Sequence, residues 1–186
     1  MEGDTQRPRE YKNIWKYLIA IPHWKFPYRF IELALKSWKD KFPPGVRTPQ
    51  ARLEIKIDSI LQICWLILII IITLFYPVEA LYYYWGPILF YFPIVFFVTV
   101  AEHSGCDKIK NKLCNARSIH SNALLRFFFS NFNYHAEHHL FPHIPSIQLE
   151  KVHKKLGENF KYQETTYIRF HINFMKSLIN KNYKKQ

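Results

Sequence analysis

Three imidazoles stand at i, i+3 and i+4 in the segment YHAEHH, as His135, His138 and His139. On a helix that spacing puts all three on one face, close enough to share one metal ion or to bridge a closely spaced pair. With 9 histidines in 186 residues, roughly 0.02 such triplets arise by chance, so the pattern carries information. Imidazole nitrogen suits iron, copper, zinc or nickel, and an all-histidine set is redox-capable when iron or copper enters. A zinc site of the thermolysin type needs Glu directly after the first His, and Ala136 stands there instead. The plain alternative is a set of surface histidines on an amphipathic helix. His103, in VTVAEHSGC, follows a long apolar run and is the fourth candidate ligand; a lone polar residue at a membrane boundary is its competing reading. His120 and His143 are weaker, the latter held between Pro142 and Pro145, while His23, His153 and His171 are isolated and read as surface or interfacial side chains. A ligating imidazole gives its other ring N–H to a carboxylate or carbonyl, which makes Glu102, Glu137 and Asn133 the candidates to receive it. For Glu137 the competing reading is an exposed acid on a helix.

The elements that must position these residues emerge from the charge map. From Ser59 to Ala101 there is no Lys, Arg or Asp and a single acid, Glu79, while all 26 Lys and Arg lie outside, 12 before and 14 after. Segment 57–78 offers about 17 to 20 apolar positions, enough to cross the hydrocarbon core as a helix. After a break expected at 77–80, segment 81–101 is again long enough, with Tyr82, Tyr83, Tyr84 and Trp85 at one end as an aromatic belt. Two crossings joined by a tight turn return the chain to its starting side, and the basic flanks put both termini in the cytosol. Ahead of them, 26–39 mixes aromatics and Leu with Lys and Arg, as in a helix lying in the headgroup layer, and Pro43, Pro44 and Gly45 are expected to end it. Further on, Ser146 is the expected cap and Gly157 the expected stop of a short helix at about 147–156, with Leu149, Val152 and Leu156 as its apolar stripe. The tail from Lys161 to Gln186 ends in the basic NKNYKKQ.

These patterns also exclude functions. Three cysteines, Cys64, Cys106 and Cys114, behind a polar start argue against a secreted disulfide scaffold. A net charge of +12 suggests nucleic acid, yet that charge is split around two hydrophobic crossings as membrane orientation requires, so no nucleic-acid partner is expected.

The motif NYHAEHHLFPHIP (133–145) resembles the last histidine box of the membrane-bound fatty acid desaturases and related hydroxylases, His-x-x-His-His with its following Leu-Phe-Pro. AEH (101–103) resembles that family's additional helix-end histidine, and GDTQRPREY (3–11) is similar to the acidic segment after its second box. The resemblance runs from Gly3 to about Leu156. It implies a membrane helical bundle with a cytosolic cap and an oxygen-activating di-iron centre that removes hydrogen from an unactivated acyl chain, with electrons from a small redox protein. Family members carry two earlier histidine boxes, whereas only His23 precedes His103 here. The resemblance therefore implies that His103, His135, His138 and His139 supply about half of the ligands, and that the sequence is a C-terminal part, truncated gene model or short isoform.

The expectation is an all-α membrane protein, a transmembrane helical hairpin with an interfacial helix and a cytosolic histidine-bearing cap. Residues 1–56 form the cytosolic and interfacial segment, 57–103 the two crossings and 104–186 the cap, together one partial desaturase domain. The expected function is desaturase-like lipid metabolism with iron as cofactor, a membrane lipid or acyl chain as partner, and the endoplasmic reticulum or another internal membrane as location. A catalytically inactive membrane interaction protein retaining half of the metal site is the other reading.

Overall fold

The computed structural model describes residues 11–22, 25–43, 45–107 and 111–180, with backbone alone at 25–27. The acidic segment before Tyr11 and the basic finish after Asn180 lie outside the described residues. The chain is mostly helical, and two compact units divide its described residues, one within 20–94 and the other within 11–19 and 95–180.

In the unit 20–94, α2 (Lys25–Trp38) stops ahead of the prolines. The Lys41 N–H bonds the Lys36 carbonyl at 2.9 Å and the Asp40 N–H that of Ser37 at 3.1 Å, with Asp40 at φ 54°. This closure satisfies the orphan carbonyls and ends the helix by itself, and the Asp40 carboxylate then takes Lys56 Nζ at 2.8 Å. Ser37 Oγ lies 3.3 Å from Ser59 Oγ on α3 (Pro49–Phe75), small buried side chains that let the two helices approach.

The first long helix starts at Pro49, well before the apolar run. Thr48 Oγ1 accepts the Ala51 N–H at 3.2 Å, and Pro49 takes the first helical position, where its missing N–H costs nothing. Two polar turns thus precede the membrane-length stretch. Pro77 disfavours helical backbone at Tyr76, which sits at φ −134° and ψ 63°. Helix resumes at once as α4 (Pro77–Ala80), so the break expected at 77–80 is confined to Tyr76. It widens into one π turn at Leu81–Trp85 and continues as α5 (Gly86–His103). The wide turn relieves the contact that the Pro87 ring would otherwise make with the preceding turn. Trp85 Nε1 donates to Thr73 Oγ1 at 3.0 Å. Pro49–Phe75 and Pro77–His103 are long and apolar enough to cross a membrane, and only 11% and 17% of their most apolar windows are buried in protein. Side chains such as Leu74, Phe75, Leu89 and Phe90 stand exposed along them. An apolar face of that extent is one that lipid covers.

In the other unit, Tyr17 of α1 (Ile14–Ala20) is fully buried, its ring 5.5 Å from that of Phe96 and 5.6 Å from that of Phe174. His171, on α9 (Tyr167–Ile179), donates from Nε2 to the Phe97 carbonyl at 3.0 Å, which leaves Nδ1 to accept the Tyr17 hydroxyl at 2.8 Å. The cap adds a feature to the expected all-α class. β1 (Ser118–Ile119) pairs in parallel with β2 (Gln163–Glu164), and the ladder runs on through the His120 and Ser121 N–H groups. Beyond α6 (Ala123–Phe128) come α7 (His135–Leu140) and α8 (Leu149–Leu156). Ser146 does not cap α8: residues Ser146–Gln148 form a 3₁₀ turn, and α8 begins at Leu149, whose side chain is fully buried. Gly157 does mark the stop: α8 ends at Leu156 with Gly157 as its C-cap, and Gly157, at φ −54°, opens a second 3₁₀ turn.

Candidate metal centre

His103 is the last residue of α5. The helix ends there because Gly105 turns the chain at φ 80°, a conformation that side chains with a Cβ resist. Its final carbonyls are held by the buried Arg117. Nη1 donates to Ala101 O at 2.6 Å and to Ser104 O at 3.0 Å, the Arg117 backbone N–H donates to Glu102 O at 2.7 Å, and the guanidinium stands 4.6 Å from the centre of the Phe170 ring. A fixed cation at the negative end of the helix dipole stabilises the last turn, and with it the direction of Glu102 and His103.

His135 and His139 come from α7, whose first turn is tied to β1. Ser118 Oγ accepts the Ala136 N–H at 3.1 Å, the Ile119 N–H donates to Asn133 O at 2.8 Å, and Asn133 Nδ2 donates to Ile119 O at 2.6 Å. The result is convergence. His135 Nε2 lies 2.9 Å from His103 Nε2 and 3.0 Å from His139 Nε2, and the ligand atoms of all three are within 4.8 Å of one another. A ring nitrogen offers one proton or one lone pair, so His135 Nε2 cannot make a linear hydrogen bond to both neighbours. Two ligands each ~2.1 Å from an ion and at right angles stand about 3.0 Å apart, so the His135–His103 and His135–His139 pairs each have the spacing of adjacent ligands on one cation. Burial first, and then the neighbouring imidazoles of His103, His139 and His138, hold His135 well below the ordinary histidine range. It is therefore neutral, the form that metal binding requires. Its other nitrogen, Nδ1, faces Glu102 Oε2 at 3.5 Å, and the Tyr167 hydroxyl donates to Glu102 Oε1 at 3.0 Å. Burial and the adjacent carboxylate push the Tyr167 phenol up, which keeps it a donor.

The fatty acid desaturase family model matches residues 1–171. The chain belongs to the fatty acid desaturase family. Neither a curated protein nor a solved structure matches it. Family membership, two apolar helices and a histidine cluster make this desaturase-family chain a membrane protein with a desaturase-like role in lipid metabolism. The family is generally iron-dependent, and three imidazoles are a donor set that iron accepts.

Of the four candidate ligands in this desaturase-family chain, the structure brings together His103, His135 and His139. His138 stands aside, its ring edge-on to Phe132 at 5.2 Å and its nitrogens outside the group. At about 100° per residue, His139 lies about 40° to one side of His135 and His138 about 60° to the other. Of the three candidates to stand behind a ligand, Glu102 is the one placed beside a histidine of the group, its Oε2 3.5 Å from His135 Nδ1. Glu137 is fully buried rather than exposed, on the opposite face of α7, where it accepts from the Ser118 hydroxyl and from His153 Nδ1, the latter at 2.5 Å. Asn133 spends its amide on β1, and its buried Oδ1 has no hydrogen-bond partner among the described residues. His120 Nε2 is 3.1 Å from Gln163 Oε1, and His143 is exposed between its prolines. Sequence reasoning missed Arg117, Ser118, Tyr167 and His153, of which only His153 had a local signal: it stands one helical turn before Gly157.

Proposed function

We propose that this chain carries part of an iron-dependent acyl-chain desaturase centre on the cytosolic side of a membrane hairpin. The observation that supports this is the meeting of His103, His135 and His139 at the end of an apolar helix. Iron bound there would supply the oxygen-activating chemistry needed to take hydrogen from an unactivated acyl chain, which no side chain can do. The chain's own residues do the rest. Three Nε2 atoms face one volume, Glu102 Oε2 lies 3.5 Å from His135 Nδ1, and Tyr167 holds Glu102 in place. His135 itself is buried.

The two apolar helices turn at Tyr76 and return the chain to its starting side, with both termini in the cytosol and α2 in the headgroup layer. The membrane is the endoplasmic reticulum or another internal one, the substrate an acyl chain of a membrane lipid, and the electron source a small redox protein. Three converging imidazoles, with His138 on the neighbouring flank, are fewer than two iron ions require. The remaining ligands correspond to the two earlier histidine boxes of the family, and we read this sequence as a C-terminal part of the desaturase domain.

The test has two arms. The chain is loaded anaerobically with Fe(II) in detergent, and iron is determined for wild type and His135→Ala; wild type should retain iron and the variant should lose it. Residues 1–186 are also produced in a desaturase-deficient host, alone and beside a segment carrying the two earlier boxes, and unsaturated products should form only in the second case. Iron retention that survives His135→Ala would sink the metal reading. Iron binding without product in either case favours the non-catalytic membrane protein. Product from residues 1–186 alone that disappears with His138→Ala would overturn the partial-centre reading.

A further inference from the structure

Behind the metal-facing side of α7 lies a second, buried polar arrangement. Glu137 is two residues from His135, about 200° around the helix, and has no exposed surface. One of its oxygens accepts from His153 Nδ1 at 2.5 Å and the other from the Ser118 hydroxyl, while Ser118 Oγ accepts the Ala136 N–H at 3.1 Å. Each donor in this loop has one acceptor, so the carboxylate is held from two sides. His153 is itself confined. The Tyr134 ring stacks on it at 4.8 Å and 30°, the His120 ring meets it edge-on at 4.8 Å, and a Cβ at Gly157 would lie 2.9 to 3.2 Å from three of its ring atoms. A solvated surface histidine needs none of these arrangements.

We infer that His153 is a positioning residue for the proposed iron site: by gripping Glu137 at the back of α7 it sets the rotation of the helix that points His135 and His139 at His103. A helix of six residues is too short to hold its own shape or orientation. A rotation of about 20° carries an imidazole tip ~6 Å from the axis through ~2 Å, the length of a metal–nitrogen bond. The grip on Glu137 is thus matched in scale to what the ligands require. This inference rests on the iron reading of the three imidazoles, and its test separates the two.

The full chain in detergent micelles is titrated with Co(II) alone, and the d–d absorption, which reports the number and symmetry of bound imidazoles, is followed for wild type, His153→Ala, His153→Asn, Gly157→Ala and His143→Ala. His153→Ala should weaken Co(II) binding roughly 10- to 100-fold, the range seen when a group behind a ligand is removed. Gly157→Ala, which crowds the ring without deleting it, should act in the same direction and serves as the deciding variant if His153→Ala fails to fold. His153→Asn should restore most of the loss, because its amide N–H can still reach Glu137, and His143→Ala should change nothing. In the metal-free protein, the imidazole ¹⁵N resonances of His103, His135 and His139 should move in His153→Ala while helix content is kept. Unchanged Co(II) affinity together with unmoved resonances would overturn the inference. A wild-type chain that takes up no Co(II) removes the iron reading instead, and the metal-free resonances still decide the role of His153.

Discussion

The Tyr167 hydroxyl donates to Glu102 Oε1 across 65 residues of sequence. That bond joins the first turn of α9 to the last turn of α5, and the other oxygen of the same carboxylate faces His135 Nδ1. A single side chain therefore links three segments that the sequence keeps far apart.

Tyr167→Phe should remove that link without opening a cavity. Losing a buried donor to Glu102 costs about 1–3 kcal/mol, and if His135 ligates iron as proposed, freeing the group behind it should lower metal affinity by ~10-fold or more. Chemical denaturation and Co(II) titration read the two effects separately. A variant indistinguishable from wild type in both would contradict the role given to Glu102.

Arg117→Ala should destabilise the cap by about 2–4 kcal/mol, since it uncovers the α5 carbonyls and leaves a hole against Phe170. Arg117→Lys should recover only part, because an ammonium cannot span two carbonyls and lie over a ring at once. Thermal unfolding followed by circular dichroism gives the order wild type, Lys, Ala; equal stability of all three would exclude the capping account.

How far these residues could be read from sequence depended on the range of their partners. The i and i+4 spacing of His135 and His139 is local, so the shared face was visible, and His103 was suggested by the end of an apolar run. His138 shared the spacing but not the site, because at one residue's remove from His139 it faces the other flank. Glu137 resembled an ordinary exposed helix acid, and nothing nearby in the chain revealed that Ser118 and His153 would enclose it. The membrane-length stretches were legible from charge alone. The start of α3 was not, since the cap at Thr48 extends the helix through polar turns that lie outside the apolar run.

Stability of the cap should fall as pH is lowered through the ordinary histidine range. Burial holds His171 below its usual value, partly offset by the Phe97 carbonyl that accepts from Nε2. Below ~6.5 the unfolded chain takes up a proton that the folded chain refuses, so this contribution is complete above that pH and is lost as pH drops toward the folded-state value. His171→Phe should flatten the slope by at most about 1.4 kcal/mol per pH unit. Urea denaturation between about pH 7.5 and about pH 5 measures it, and an unaltered slope in the variant would assign the dependence to other groups.

Alkaline carbonate should leave the chain in the membrane pellet, and tags at the two ends should be digested together when sealed microsomes are treated with protease. Release into the supernatant, or protection of one tag alone, would exclude the hairpin with both ends in the cytosol.

The parallel pairing of β1 with β2 sets an order of events during synthesis. Glu102 and His103 leave the ribosome long before Gln163 and Tyr167, and at roughly 5–20 residues per second the interval of 65 residues lasts about 3–13 s. Throughout that time the apolar helices are already available to the translocation machinery, while α7 has no completed ladder beneath it and Glu102 has no phenol to hold it. Insertion into the bilayer is thus open to the chain before the three imidazoles are assembled, and a nascent chain stalled before residue 163 should be anchored with α7 still lacking the β1–β2 ladder beneath it.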